Sequence, residues 1–120
     1  MILSPLKVFP SAGHSNADPG AVAFGYKEAD LTKEARNLIA KNSKAEDFIM
    51  DKDWETNRQY QSRIKPADGS VIFDIHFNAG SPSATGTECF VNDKDFQNKN
   101  SLSYKMASEV CEFTANLLGI

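Results

Sequence analysis

The two histidines of this chain and one glutamate are the side chains best suited to hold a catalytic metal ion. His14 lies in a loop of small residues and turn formers, Glu28 follows fourteen positions later, and His76 lies in the apolar run VIFDIHF. Two neutral imidazoles and one carboxylate are a ligand set for a catalytic Zn²⁺ whose fourth position is open to water. Such a metal would activate the water and polarise a substrate carbonyl. Either histidine alone is more simply explained as an ordinary surface or core residue, so a site requires that the fold bring all three together.

Two strands and one helix are predicted to deliver these side chains. Residues 6–9 form a short apolar run with β-branched and aromatic content, which predicts a strand that ends before His14. From Glu28 the apolar residues recur at helical spacing, which predicts a helix to about Lys41. Residues 71–79 lack clean polar alternation, as is typical of a central strand buried on both faces of a parallel sheet. Because loops emerge at the carboxyl ends of such strands, we expect all three side chains at one sheet edge.

The rest of the chain predicts a further alternation of strands and helices. Residues 48–50 are a brief strand candidate, residues 60–64 fall in a short helix, and residues 86–92 predict another strand. Ser101 can cap a last helix that closes at Gly119. The apolar stripe of that helix is expected to be core and comprises Leu102, Met106, Val110, Phe113 and Leu117. The alternation predicts an α/β fold with a mainly parallel twisted sheet and helices on both faces.

Composition narrows the class of protein. A chain of 120 residues, 41% hydrophobic and 24% charged, is the size and type of one soluble domain, residues 1–120. A net charge of -3 gives no reason to expect nucleic acid as a partner. No apolar run is long enough for a membrane span and the N-terminus lacks a secretory signal, so we expect synthesis in the cytosol. Cys89 and Cys111 have no CxxC spacing and are expected to be small buried hydrophobic residues.

Three runs of the sequence carry a resemblance to a known family. AGHSNADPGAV, DIHFNAG and GTECF resemble the zinc-dependent N-acetylmuramoyl-L-alanine amidases of the cell-wall hydrolase and phage-endolysin type, in order and over nearly the whole chain. Arg63 also matches a family arginine that precedes the central strand. The resemblance implies that His14, Glu28 and His76 hold Zn²⁺. It also implies an autolysin or endolysin that cleaves the amide between N-acetylmuramic acid and L-alanine in peptidoglycan.

Two residues near the implied ligands depart from the family pattern. Ser15 replaces a glycine, which a loop tolerates if its φ is negative. Asp74 replaces a serine two residues before His76, on the same strand face, where it could accept the outer N–H of a metal-bound imidazole. An aspartate satisfied by backbone or a hydroxyl is the alternative explanation. The residues 18–20 are expected to shape the loop and are assigned no chemistry.

The group that moves the proton is not evident. The family carries a catalytic glutamate on a late strand, in a Val-Glu-x-Gly-Phe setting, and the sequence ends at Ile120 before any such segment. We therefore expect a chain truncated at its C-terminus that lacks the family's last strand and helix. Glu88 is the local substitute, although a structural or site-rim role explains it more simply. Asn78 could orient water or substrate, and an ordinary strand-end hydrogen bond explains it equally well.

Two functions follow as hypotheses. The first is a zinc-dependent amidase that acts on the cell wall, outside the cell or after lysis. The second is a catalytically inactive module of the same fold that binds or assembles peptidoglycan. A missing last strand would leave a sheet edge uncovered, so a homodimer through that edge is expected, with neither nucleic acid nor membrane as a partner.

Overall fold

The computed structural model describes residues 7–42 and 48–120, which divide between two compact units. The first unit ends at Ala79 and the second runs from Gly80 to Ile120. In the first unit the elements are β1 (Val8–Ala12), β2 (Val22–Ala23), β3 (Tyr26–Lys27), α1 (Glu28–Lys41), α2 (Asn57–Arg63) and β4 (Val71–Ile75). In the second they are α3 (Asp93–Phe96) and α4 (Leu102–Leu118). No helix within the described residues is both long and apolar enough to cross a membrane.

A parallel pair of strands forms the frame of the first unit. β1 and β4 pair in parallel, with Ser11 opposite Asp74 and Ala12 opposite Ile75. Phe48 adds an isolated parallel bridge to Val8, which is what the structure retains of the strand predicted for residues 48–50. The first strand begins at Val8, and Leu6 lies outside the described residues. The predicted α/β fold, with a small parallel sheet and helices, is confirmed.

The burial of β4 differs from the prediction. Its residues alternate between half-buried and exposed, with Ile72 half exposed, and the strand ends at Ile75 rather than Ala79. Among the described residues β4 pairs with β1 alone, so its other edge has no strand beside it. A central strand buried on both faces was therefore the wrong prediction for residues 71–79.

The core of the first unit lies between β1 and α2. Phe9, Tyr60 and Ile64 are buried together, and Ile49 packs against them. The hydroxyl of Tyr60 donates to the carbonyl of Ile49, which satisfies its only polar atom. α2 begins earlier than predicted because Thr56 and Gln59 cap each other's backbone N–H groups, a reciprocal capping box.

Helix α1 is attached to the end of β1 by buried polar contacts. It spans Glu28–Lys41, as predicted. The Thr32 hydroxyl donates to the Gly13 carbonyl at 2.7 Å. Arg36 is 4% exposed and donates to Asp51 Oδ1 at 3.0 Å, and the same oxygen accepts from the Ala12 N–H at 3.1 Å. These bonds hold the helix beside the carboxyl end of the strand.

The second unit confirms the predicted ends of the last helix but contradicts the predictions for residues 86–92 and for Cys89. Ser101 caps α4 by accepting from the Tyr104 N–H, and Gly119 ends the helix in the left-handed conformation, as predicted. No strand forms at residues 86–92, where Gly86 has a φ of 125° and the described part of this unit offers no strand to pair with. Cys89 is exposed rather than buried, and neither it nor Cys111 forms a disulfide.

The stripe of α4 is not core. Leu102, Phe113 and Leu117 are 63%, 70% and 71% exposed. The periodicity is real, but burial requires a partner surface, and α4 holds no buried residue. The prediction that this stripe is core is therefore wrong for the described chain.

Candidate metal centre

The loop after β1 presents His14 in an unusual backbone conformation. His14 has a φ of 70°, a value that L-residues adopt rarely and that is often found at functional sites. The two residues Ser15 and Asp18 exchange backbone hydrogen bonds, each at 3.1 Å, which closes a tight turn directly after it. Ser15 itself is not in the positive-φ region, so the replacement of the family glycine is tolerated as expected.

A short hairpin fills the rest of the long loop. β2 and β3 pair antiparallel around Phe24 and Gly25, which both have positive φ. The hairpin leads directly into Glu28, the first residue of α1. The Glu28 N–H donates to the Ala21 carbonyl at 2.8 Å, so the chain returns to the end of β1. The Ser15–Asp18 turn and this hairpin together account for most of the chain between His14 and Glu28.

The two histidines meet where the parallel strands end. The Gly13 N–H donates to the Ile75 carbonyl at 2.8 Å, which joins the residue after β1 to the last residue of β4. His14 and His76 follow these joined positions directly, and their ring centroids lie 5.1 Å apart in an edge-to-face arrangement. The expected convergence of strand ends is therefore present in the structure.

Glu28 lies between the two imidazole rings and is 7% exposed. Its Oε2 lies 3.0 Å from His14 Nε2, and its Oε1 lies 3.1 Å from His76 Nδ1. Each carboxylate oxygen also accepts a backbone N–H, Oε2 from Ala21 at 3.1 Å and Oε1 from Phe77 at 3.0 Å. The glutamate is thus fixed on four sides, with one oxygen directed at each ring.

A second carboxylate lies on the outer side of each ring. Asp18 Oδ2 is 2.8 Å from His14 Nδ1. Asp74 Oδ2 is 2.6 Å from His76 Nε2, and its Oδ1 accepts from the Ser11 hydroxyl at 2.6 Å. Each histidine therefore has a carboxylate of its own and shares Glu28 with the other.

The ionisable groups of the centre shift one another's pKa values. The hydrogen bond to Asp18 raises the pKa of His14 and lowers that of Asp18. Burial would raise the pKa of Glu28, but the backbone N–H groups of Ala21 and Phe77, with the two histidines, outweigh it and lower that pKa. Glu28 is therefore a carboxylate at neutral pH.

The donor set fits a metal ion. One ligand atom from each of His14, Glu28 and His76 can be chosen so that all three lie within 4.8 Å of one another. A neutral imidazole carries one N–H, yet both nitrogens of each ring face carboxylate oxygens. When the proton of each ring lies on the nitrogen that faces Asp18 or Asp74, the inner nitrogen, which faces Glu28, carries none. A cation between the rings and Glu28 satisfies all the inner atoms at once, and two nitrogens with one oxygen are ligands that Zn²⁺ takes.

Glycines allow the backbone to approach the centre closely. A Cβ atom on Gly20 would lie 2.5 Å from His14 Cδ2 and 2.7 Å from Glu28 Oε2. A Cβ atom on Gly13 would lie 2.6 Å from His76 Cε1. Neither position has room for a side chain, so both glycines help to define the space around the ligands.

Comparison with known proteins shows the family of the chain. The model of the N-acetylmuramoyl-L-alanine amidase family matches residues 8–117. The chain belongs to this family. It is also 28% identical over 115 residues to the uncharacterized protein YqiI of Bacillus subtilis (strain 168), covering 86% of this chain and 51% of that protein. The chain thus spans about half the length of the curated relative that it matches. No solved structure matches the chain significantly.

The other residues that the amidase resemblance singled out lie in different settings. Arg63 forms an ion pair with Glu55, 2.7 Å from Nε to Oε2, and so supports α2. Asn78 is exposed two residues after His76, in the first unit. Glu88 is exposed on the irregular segment of the second unit. The roles predicted for Asn78 and Glu88 in an amidase stay predictions.

Sequence reasoning missed the part played by Asp18. It was assigned only to the turn, whereas its side chain contacts the imidazole of His14. The available signal was an aspartate four residues after a histidine inside a run of turn formers. The tight turn between Ser15 and Asp18 brings the two side chains together.

Proposed function

We propose that this chain is a zinc-dependent amidase that hydrolyses the amide between N-acetylmuramic acid and L-alanine in peptidoglycan. Membership of the amidase family supports the reaction class. The observation that carries the metal assignment is the convergence of His14 Nε2, His76 Nδ1 and the Glu28 carboxylate. When bound there, Zn²⁺ supplies a Lewis acid for the scissile carbonyl and lowers the pKa of a water molecule.

The residues of the centre have separable tasks in this proposal. His14 and His76 present nitrogen lone pairs inward because carboxylates occupy their outer nitrogens. Glu28 contributes one negative charge, and two backbone N–H groups hold its oxygens in place. Two neutral ligands and one anionic ligand would leave one positive charge on a bound Zn²⁺ and its three ligands, which would favour the oxyanion that develops during amide hydrolysis.

Proton transfer to the leaving amine requires a further group. Within the described residues, the carboxylates that contact the two histidines are Glu28, Asp18 and Asp74, and each is already engaged. Asn78 is a proposed substrate contact, and Glu88 is the local candidate for proton transfer, with a structural or site-rim role as the simpler alternative. A general acid or base contributes about 10²- to 10⁴-fold to rate, so a loss of that order in Glu88→Gln with zinc retained would favour proton transfer by Glu88, and unchanged turnover would favour the structural role.

The products of digestion test the reaction directly. Insoluble peptidoglycan is incubated with the zinc-loaded protein, and new α-amino groups of L-alanine and new reducing sugar ends are measured separately. We expect free L-alanine amino groups without new reducing ends, suppressed by a chelator and restored by Zn²⁺. New reducing ends, or release that is unaffected by the chelator, would contradict the proposal.

A second candidate is an inactive module that binds peptidoglycan at the cell wall. It is favoured by the engagement of every carboxylate that contacts the histidines in the described part of the chain. Such a module would sediment with cell walls while releasing no amino groups. Chelator-sensitive release of L-alanine amino groups by this chain alone would exclude it.

A further inference from the structure

The contacts of Asp74 are those of a group that orients His76. Its Oδ2 lies 2.6 Å from Nε2 of the imidazole, and its Oδ1 accepts from Ser11 Oγ at 2.6 Å. Ser11 is 2% exposed and lies directly opposite Asp74 in the register of β1 and β4. The sheet itself therefore fixes the carboxylate at one oxygen and directs the other at the ring.

A simple structural role does not account for this arrangement. The side chain of Asp74 is 30% exposed, so water could solvate its charge without any help from His76. The contacts of Asp74 are therefore not required to compensate for burial of its charge. The two short contacts instead link Ser11 on β1, through Asp74, to Nε2 of His76, whose ring could otherwise rotate.

The contact determines which nitrogen of His76 faces inward. An ionised carboxylate only accepts hydrogen bonds, so Nε2 must carry the proton. Nδ1 then keeps its lone pair, and it is Nδ1 that lies 3.1 Å from Glu28 Oε1. His14 has the opposite arrangement, with Asp18 at Nδ1 and Nε2 directed at Glu28. The two histidines of the centre are therefore expected in opposite tautomers.

We propose that Asp74 is a positioning residue that selects the Nε2–H tautomer of His76 and so directs Nδ1 at the metal, with Ser11 fixing the carboxylate. The proposal rests on the proposed function only in that the centre binds Zn²⁺. It does not depend on which bond of peptidoglycan is cut. Carboxylates behind metal-bound histidines typically contribute about 10- to 100-fold to metal affinity.

Zinc affinity is the first measurement. Competition with a chelator of known affinity is applied to the wild type, to Asp74→Ala and Asp74→Asn, and to Asp68→Asn, a control at an exposed loop aspartate before β4. We expect Asp74→Ala to bind Zn²⁺ about 10- to 100-fold more weakly than the wild type and Asp68→Asn to be unchanged. Asp74→Asn keeps an acceptor oxygen in a side chain of the same shape, so its zinc affinity should lie between those of Asp74→Ala and the wild type. Far-UV circular dichroism verifies folding. If Asp74→Ala does not fold, a zinc affinity of folded Asp74→Asn below that of the wild type supports the proposal, and an equal affinity contradicts it.

The nitrogen resonances of the histidine rings are the second measurement. The chain has two histidines, so a long-range ¹H–¹⁵N spectrum contains two ring patterns. We expect the Nε2–H pattern for His76 and the Nδ1–H pattern for His14, with the His76 pattern alone altered in Asp74→Ala. This second readout would not move if Asp74 merely supported the fold.

The outcomes separate this inference from the proposed function. A wild type that binds Zn²⁺ but releases no L-alanine amino groups would overturn the proposed function and leave the inference standing, whereas a wild type that binds no Zn²⁺ would overturn both. A wild type that binds Zn²⁺, with Asp74 variants of equal affinity and unchanged ring patterns, would overturn the inference alone.

Discussion

At the scale of single residues, Glu28 is the member of the centre that the others are arranged around. It contacts both histidines and is held by two backbone N–H groups. Its position as the first residue of α1 also allows a carboxylate to interact favourably with the N-terminus of the helix. Hydrogen bonding and helix polarity therefore keep one negative charge between the two imidazoles, against the opposing effect of burial.

Gly20 provides a test of how closely this centre is packed. A methyl group in Gly20→Ala would approach His14 and Glu28 too closely, so the ligands must shift. We expect zinc affinity to fall at least about 10-fold, in line with losses when the surroundings of ligands are disturbed. Gly25→Ala is the matched control, because Gly25 also has positive φ but a Cβ there would have no atom within 4 Å. Equal zinc affinity in the two variants would show that the close approach at Gly20 is irrelevant.

At the scale of elements, the parallel pairing of β1 with β4 determines where the histidines meet. The alternation of apolar runs and helical periods was sufficient to predict β1, α1 and the edge at which His14 and His76 converge. These predictions succeed because loops emerge at the carboxyl ends of parallel strands whatever their sequence. The hairpin of β2 and β3 was not predicted, because AVAFGYK lacks the Asn-Gly or Asp-Gly signal of a two-residue turn.

Failures at this scale concern burial and pairing. Residues 86–92 and the α4 stripe have the composition of a strand and of a core face, yet the first forms no strand and the second is exposed. Composition and period report what a segment is able to do, whereas pairing and burial depend on which other segments are present beside it. The contact of Asp18 with His14 was likewise not predicted, because it depends on the turn that brings the two side chains together.

The ion pair that anchors α2 gives a prediction about pH. The hydrogen bonds from Arg63 lower the pKa of Glu55 from 4.5 to about 2. A carboxyl whose pKa is lower in the folded state stabilises the fold above its unfolded pKa, and that contribution is lost as the pH falls toward about 2. We expect Glu55→Gln to lower the free energy of unfolding by about 1 to 2 kcal/mol at pH 7 and to flatten its loss between about pH 5 and 2.

Denaturant unfolding at several pH values measures this effect. Glu34→Gln, at an exposed position of α1, is the control and should behave as the wild type. An equal slope of stability against pH in Glu55→Gln and the wild type would show that the ion pair does not contribute.

At the scale of the whole molecule, we propose that the chain self-associates through the edge of β4. That edge has no strand partner within the described residues, and exposed edges of this kind pair readily with another chain. Sedimentation velocity over a range of protein concentrations should show a dimer. Ile72→Lys, which places a charge on β4, should weaken dimerisation, whereas Phe113→Ser on α4 should leave dimerisation unchanged. A monomer at every concentration would contradict the proposal.

The metal content of the purified protein tests the central claim most directly. After dialysis against Zn²⁺ and removal of the excess, the wild type should retain close to one Zn²⁺ per chain. His76→Ala, which removes one of the three donors, should retain essentially none, while circular dichroism confirms that it is folded. Full retention of Zn²⁺ by folded His76→Ala would show that His14, Glu28 and His76 do not form the metal site.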